Sequence, residues 1–437
     1  MPTTVDTSES RAHALDARDP LTSLRGEFFL PDAAAVARTA GLAGQSTPSG
    51  TAVYLTGNSL GCQPRAVAQD LTHELEDWAR LGVEGHLHAR DPWLPYHEQF
   101  RSSLGRVVGG LPTEVVAMNS LTVNLHLLMA SFYRPTRDRF KIMIEDSAFP
   151  SDSYAVQSQA GWHSHASGFD ARQAIVRLTP REGEHTLRTD DILAAINREG
   201  ASLALVMLGA VNYLSGQWFD MDTITRAGHA AGASVGWDLA HAAGNVPLRL
   251  HDIGADFAAW CSYKYLNAGP GAIAGAFVHE RHHAADLPQF AGWWGNDPAS
   301  RFRMGPEFHP VARADRWALS NPPIFALTPL KASLALFDRA TMPALREKSV
   351  ALTAYMEGLL KQLAPNVGVR TPADPAQRGC QLSMVVRGSS REVQQKLLTR
   401  GVVCDFREPD VIRAAPVPLY NSFHDVWRFA TELGGMT

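Results

Sequence analysis

Cysteine is scarce in this 437-residue chain: Cys62, Cys261, Cys380 and Cys404 are scattered, with no C-x-x-C pair. Their scatter fits reduced thiols, mostly core filler, better than a disulfide framework. There is no run of five or more like charges, and a net charge of −4 with a pI near 6.5 leaves no basic field for nucleic acid. No stretch reaches the roughly 18 apolar residues of a membrane span. Met1 to Arg18 is polar, with charges throughout and none of the apolar core of a secretory signal. Internal repeats and low-complexity tracts are also missing. The expectation is a cytoplasmic protein with neither nucleic acid nor a membrane as partner.

What is present, 45% hydrophobic and 19% charged residues, is the composition of an ordinary globular chain long enough for one large and one smaller domain. Residues 1–50 read as a mobile arm with a helix-like stretch from Asp32 to Ala40 and a Gly/Ser/Pro loop before Thr51. From there to about residue 334, apolar runs alternate with helical patterns. The strand candidates are Lys141–Glu145, Ala174–Leu178, Leu203–Leu208, Ser234–Asp238, Asp256–Cys261 and Ala272–Val278; Asp190–Arg198 and Met221–Gly232 are helix candidates. Nearly continuous apolar strands joined by helices indicate an α/β fold whose mainly parallel sheet is covered on both faces. After Pro322-Pro323, long helices are expected at Thr328–Arg339 and Met342–Leu363. Strands follow at Gln381–Val386, Val402–Cys404 and Val411–Arg413, with helices at Arg391–Thr399 and near the end. Residues 335–437 thus read as a smaller α+β domain.

Two segments at the ends of apolar runs carry chemistry: Gly236-Trp-Asp-Leu-Ala-His241, and Cys261-Ser-Tyr-Lys-Tyr-Leu-Asn267, whose lysine lies 26 residues beyond Asp238. An aldehyde cofactor such as pyridoxal phosphate needs an amine for a Schiff base and a carboxylate to keep its ring nitrogen protonated. Lys264 and Asp238 are the candidates, although a strand-terminal Asp also caps turns and a lysine among apolar residues also snorkels. Tyr263 is suited to hold a phosphate and pass a proton, while Tyr265 reads as structural. Ser120 and Thr122 precede the apolar helix Val123–Ala130, a phosphate cradle or a plain N-cap. Phe149 is a candidate for stacking on the ring. His279-Glu-Arg-His-His283 matches H-E-x-x-H but follows a strand and lacks a third-ligand pattern, so no metal is expected.

At these residues the chain resembles the kynureninases, pyridoxal-phosphate hydrolases of aspartate-aminotransferase fold type I. The matching segments run nearly end to end: Gly57-Asn-Ser-Leu-Gly61, Met118 to His126, Ala148-Phe-Pro-Ser-Asp152, Asp238-Leu-Ala-His-Ala242, Trp260 to Ala268, Gly292-Trp-Trp-Gly295, Ser320-Asn-Pro-Pro323, Gly379-Cys-Gln-Leu382 and Ile412 to Ser422. The resemblance implies a large domain with a mainly parallel seven-stranded sheet and a smaller α+β C-terminal domain. It implies that Lys264 carries the cofactor, Asp238 meets the pyridine nitrogen and Phe149 stacks on the ring. Thr122, Tyr263, Trp293 and Asn321 would hold the phosphate, the last two reaching in from the partner of a homodimer. Leu121, Pro150, Ser151, Asp152 and His241 complete the implied cofactor set. Arg413 would clamp the substrate α-carboxylate, with Ser59, His86, Ser320 and Asn321 lining the aryl pocket. Gly209 stands where some members carry a hydroxyl, so no side-chain role is assigned there.

The implied activity is hydrolytic Cβ–Cγ cleavage of L-kynurenine or its 3-hydroxy derivative, with Lys264, Tyr263 and Asp238 catalytic. Desulfuration or transamination on the same fold is the alternative; a desulfurase would need a mobile, reactive cysteine. A zinc peptidase using His279 and His283, or a non-catalytic cofactor-binding regulator, is the rival from another class.

Overall fold

The computed structural model describes residues 5–41 and 48–437; the loop expected before Thr51 falls largely outside the described residues. Seven strands form one sheet: β1 (Val115–Ala117), β2 (Lys141–Glu145), β3 (Ile175–Leu178), β4 (Leu203–Gly209), β5 (Ser234–Asp238), β6 (Phe257–Cys261) and β7 (Ala274–Val278), in the order β1-β7-β6-β5-β4-β2-β3. β7 is antiparallel to both its neighbours and every other pairing is parallel. The mainly parallel seven-stranded sheet expected from the sequence is therefore present. β1 was not foreseen, because three residues buried on both faces show no alternation to detect.

Alternation along β4 explains the layering. Val206 and Leu208 pack into one hydrophobic cluster, Leu205 and Met207 into another on the opposite face. The second cluster takes in α1 of the site layer, Leu121–Phe132, through Leu125, Leu128 and Met129, and α2, Pro150–Ser167, through Ala155, Val156 and Ala160. The first takes in α3, Thr189–Glu199, α4, Met221–Ala230, and α5, Ile324–Ala340. α5 begins four residues earlier than its expected start, directly after Pro323, and holds Pro329 inside the helix, where the hydrogen bond to the Phe325 carbonyl is lost.

Beyond α6 (Met342–Leu363) lies a second, antiparallel sheet: β8 (Val367–Val369), β9 (Leu382–Val386), β10 (Asp405–Arg407) and β11 (Val411–Ala414), in the order β8-β9-β11-β10. The expected strand at Val402–Cys404 does not join it. Val402 and Val403 pair in parallel with Val53 and Tyr54, and the half-buried, polar β10 forms the edge instead. α7 (Ser390–Thr399) and α8 (Phe423–Gly434) cover this sheet.

The start of the chain, expected to be mobile, carries a helix, Glu9–Asp16, that packs on α8 with Ala12 buried. The Asp16 carboxylate accepts the N–H groups of Phe423 at 2.7 Å and His424 at 3.1 Å, supplying the first turn of α8 with an acceptor. Among the described residues no helix is long and apolar enough to cross a membrane.

Candidate active site

The carboxyl ends of β2, β4 and β5 and the loop after β6 converge on a cavity of about 310 Å³ lined by Glu145, Gly209, Asp238, His241, Tyr263 and Lys264. Such a crevice is where open α/β sheets bind ligands. The loop bearing Lys264 is fixed from below: Gly61 N–H donates to the Tyr263 carbonyl at 2.8 Å. A Cβ at Gly61 would lie 2.4 Å from the Lys264 carbonyl oxygen, so only glycine allows this approach. Asn267 adopts φ 51°, turning the chain away after the lysine.

Lys264 Nζ lies 3.1 Å from His241 Nε2 and 5.9 Å from the centre of the Phe149 ring. Burial holds the His241 pKa well below its usual value, and the charges of Lys264, Arg413 and Arg407 push it further the same way. His241 is therefore a neutral imidazole, and its buried Nδ1 has no hydrogen-bond partner. Asp238 is buried and accepts the Ala240 N–H at 2.5 Å. Burial raises its pKa, and burial together with the neighbouring charge of Asp238 raises that of Asp152 strongly. A third carboxyl, Glu145, accepts the Gly209 N–H at 3.1 Å and is pushed up to about 7 by burial.

Two helices aim their N-termini at the same cavity. Ser120 and Phe149 stand at the N-cap positions of α1 and α2 and neither side chain caps, so the N–H groups of Leu121, Thr122, Val123 and Ser151 remain open to a ligand, while that of Asp152 goes to the Phe149 carbonyl at 3.0 Å. Plain N-capping, the alternative for Ser120, does not occur. Thr122 Oγ1 and Ser151 Oγ lie 2.7 Å apart between the helices, and Pro150 occupies the first position of α2, where its missing N–H costs nothing. These features fit pyridoxal phosphate on chemistry visible in the chain. Two neighbouring buried carboxyls suit a protonated ring nitrogen, and two uncapped helix starts with hydroxyls suit a phosphate.

On the far wall, buried Arg413 donates through Nε to Asp405 at 2.7 Å, through Nη2 to the same carboxylate, and through Nη1 to the Tyr213 carbonyl at 2.7 Å. Ser59 and the unpartnered buried Oδ1 of Asn58 complete this side.

Comparison with known proteins decides the family. The family model for the kynureninase C-terminal domain matches residues 345–433. A kynureninase of Myxococcus xanthus is 57% identical over 98% of this chain and 97% of its own length. One of Salinispora tropica is 59% identical, covering 87% and 89%, and one of Koribacter versatilis 53%, covering 97% and 96%. The chain belongs to the kynureninase family. Solved structures with the same fold include a complex of the cystine C–S lyase C-DES with cysteine persulfide, at 18% identity and TM-score 0.74, covering 88% of this chain and 97% of that one. A cysteine desulfurase of Escherichia coli matches at 16% identity and TM-score 0.70, covering 95% and 97%.

None of this chain's cysteines suits the mobile, reactive thiol that a desulfurase would need. All four are buried. Burial pushes the thiols of Cys62 and Cys380 up to about 12 and raises those of Cys261 and Cys404, the opposite of a reactive thiolate. The H-E-x-x-H histidines part company: His283 Nε2 meets the Val278 carbonyl at 3.0 Å while His279 turns toward Glu114 and His251.

Of the residues expected at the site, Ser59, Leu121, Thr122, Phe149, Ser151, Asp152, Asp238, His241, Tyr263, Lys264 and Arg413 line this one cavity, with Pro150 between two of them. Trp293, Ser320, Asn321 and His86 do not reach it within one chain. Trp293 is 40% exposed and gives its indole N–H to the Arg301 carbonyl at 3.1 Å; Ser320, Asn321 and His86 are exposed, His86 edge-on to Trp93. Lining residues with functional side chains that carried no assignment from the sequence are Asn58, Glu145, Asn212, Tyr213 and Arg407. For Glu145 a signal existed, an acid closing an apolar strand; Arg407 sits among charges that read as loop.

Proposed function

We propose that the chain hydrolyses the Cβ–Cγ bond of L-kynurenine, or of its 3-hydroxy derivative, giving anthranilate or 3-hydroxyanthranilate and L-alanine. The observation that carries this reading is the single cavity combining Lys264, the Asp238–Asp152 pair and Arg413 in a chain of this family. Pyridoxal phosphate, when bound, supplies the electron sink that allows bonds at the substrate's α- and β-carbons to break. Lys264 is the amine that holds it and, once freed, moves the α-proton. Asp238 keeps the ring nitrogen protonated, the positive ring in turn favouring its carboxylate form. Neutral His241 takes a hydrogen bond from Lys264 without competing for positive charge. The first turns of α1 and α2, with Thr122 and Ser151, hold the phosphate, and Phe149 covers the ring.

Arg413, fixed by Asp405, receives the α-carboxylate. Atoms balance as a hydrolysis: the hydroxyl of water goes to the acyl carbon and a proton to the β-carbon. Burial keeps the Tyr263 phenol protonated, which suits it to deliver that proton. Undiminished alanine formation by Tyr263→Phe would remove that role.

Trp293, Asn321, Ser320 and His86 lie outside one chain's cavity yet are open to solvent, which supports a homodimer whose partner supplies them; Trp293 must then release Arg301. Reduced, buried thiols support a cytoplasmic location. The test supplies the pyridoxal-phosphate-loaded protein with kynurenine and with 3-hydroxykynurenine and follows aromatic product and alanine together. Equimolar products are expected. A yellow protein forming neither would withdraw the activity and keep the fold.

A further inference from the structure

At the edge of the second sheet, β10 sets one carboxylate against two guanidiniums. Asp405 is held along one side of Arg413, through Nε at 2.7 Å and through Nη2, and lies 3.3 Å from Arg407 Nη2. With Nη1 donating to the Tyr213 carbonyl, Arg413 has committed three of its five N–H groups and is itself buried. Arg407 differs in each respect. Its side chain is 39% exposed, Asp405 is its one acidic partner among the described residues, and its buried Nε has no hydrogen-bond partner. Both guanidiniums line the cavity with Lys264. Two arginines against one aspartate leave an uncompensated positive charge on this wall.

We propose that Arg407 is a second carboxylate-recognition residue of the substrate site, the adjustable partner of the fixed Arg413, with Asp405 orienting both. This rests on the reading that an α-amino acid binds with its carboxylate at Arg413. A substrate carboxylate then meets Arg413 through the N–H groups that Asp405 leaves free and supplies the anion that Arg407 lacks. Because Arg407 is half-exposed and on an edge strand, its replacement opens no core.

The test is equilibrium binding to the loaded enzyme, read from the cofactor's absorbance, of L-alanine and of L-alaninamide, which lacks the carboxylate. Arg407→Gln is expected to weaken L-alanine by about 10- to 100-fold, the range for a lost charge-assisted contact. It should leave L-alaninamide within about threefold, and Arg407→Lys should recover part of the alanine affinity. Equal weakening of both ligands, or no change in either, would overturn the assignment. An enzyme that binds alanine but leaves kynurenine intact would fail the hydrolase reading while the comparison of alanine with its amide still decides Arg407.

Discussion

Replacing Glu145 by glutamine removes one proton-binding site from the interior, and the pH dependence of stability must respond with a definite sign. Burial raises the Glu145 pKa from 4.5 to about 7 in the folded chain. Below the lower value folded and unfolded chains both hold the proton and the group contributes nothing. Between the two the unfolded chain releases it while the folded chain keeps it, so stability falls as pH rises. Above about pH 7 the loss is complete, on the order of 3 kcal/mol. Glutamine cannot ionise and still offers an oxygen to the Gly209 N–H, so the variant escapes this loss. At about 2.1 cal/mol/K per residue, the unfolding entropy of 437 residues converts 3 kcal/mol into about 3 °C. Calorimetry of the cofactor-free protein should find the Glu145→Gln variant melting about 3 °C above the parent near pH 8.5, and coincident with it near pH 4. A difference independent of pH, or one that favours the parent as pH rises, would refute the reasoning.

Lys264→Ala should cost at least about 10³-fold in turnover and abolish the adduct that borohydride fixes on the loaded protein; an adduct at another lysine would contradict the assignment. Gly61→Ala places a Cβ 2.3 Å from Asn267 Oδ1 and 2.4 Å from the Lys264 carbonyl, so the lysine loop must shift. A destabilisation of about 1–3 kcal/mol with reduced kcat is expected, and an unchanged melting point with full activity would show that the loop tolerates the group. The four buried thiols should stay unreactive toward an aromatic disulfide reagent until the chain is unfolded. One rapidly titrating cysteine would revive a desulfurase-like role.

Legibility in the sequence followed locality. Asp238 and Lys264 close apolar strands buried on both faces, so the strands, the sheet and the placement of both side chains beyond its carboxyl edge could be read directly. The pairing of Asp152 with Asp238 joins residues on separate elements, and no spacing rule announces it. Glu145 was legible as an acid closing an apolar strand, but only the fold brings it under Gly209. Arg407 belongs to a charged stretch whose edge strand forms because β11 pairs with it. The helix Glu9–Asp16 was missed because its partner is the start of α8, 407 residues away at Phe423. Trp293, Ser320, Asn321 and His86 were found by resemblance to segments and not by geometry, and one chain's geometry leaves them apart from the cavity.

The most direct test of the central claim is the fate of water oxygen. Kynurenine turned over by the loaded enzyme in water enriched in oxygen-18 should yield anthranilate carrying one heavy oxygen in its carboxylate, and alanine carrying none, in equal amounts. Unlabelled aromatic product, or consumption of kynurenine without alanine, would contradict hydrolysis of the Cβ–Cγ bond at this site.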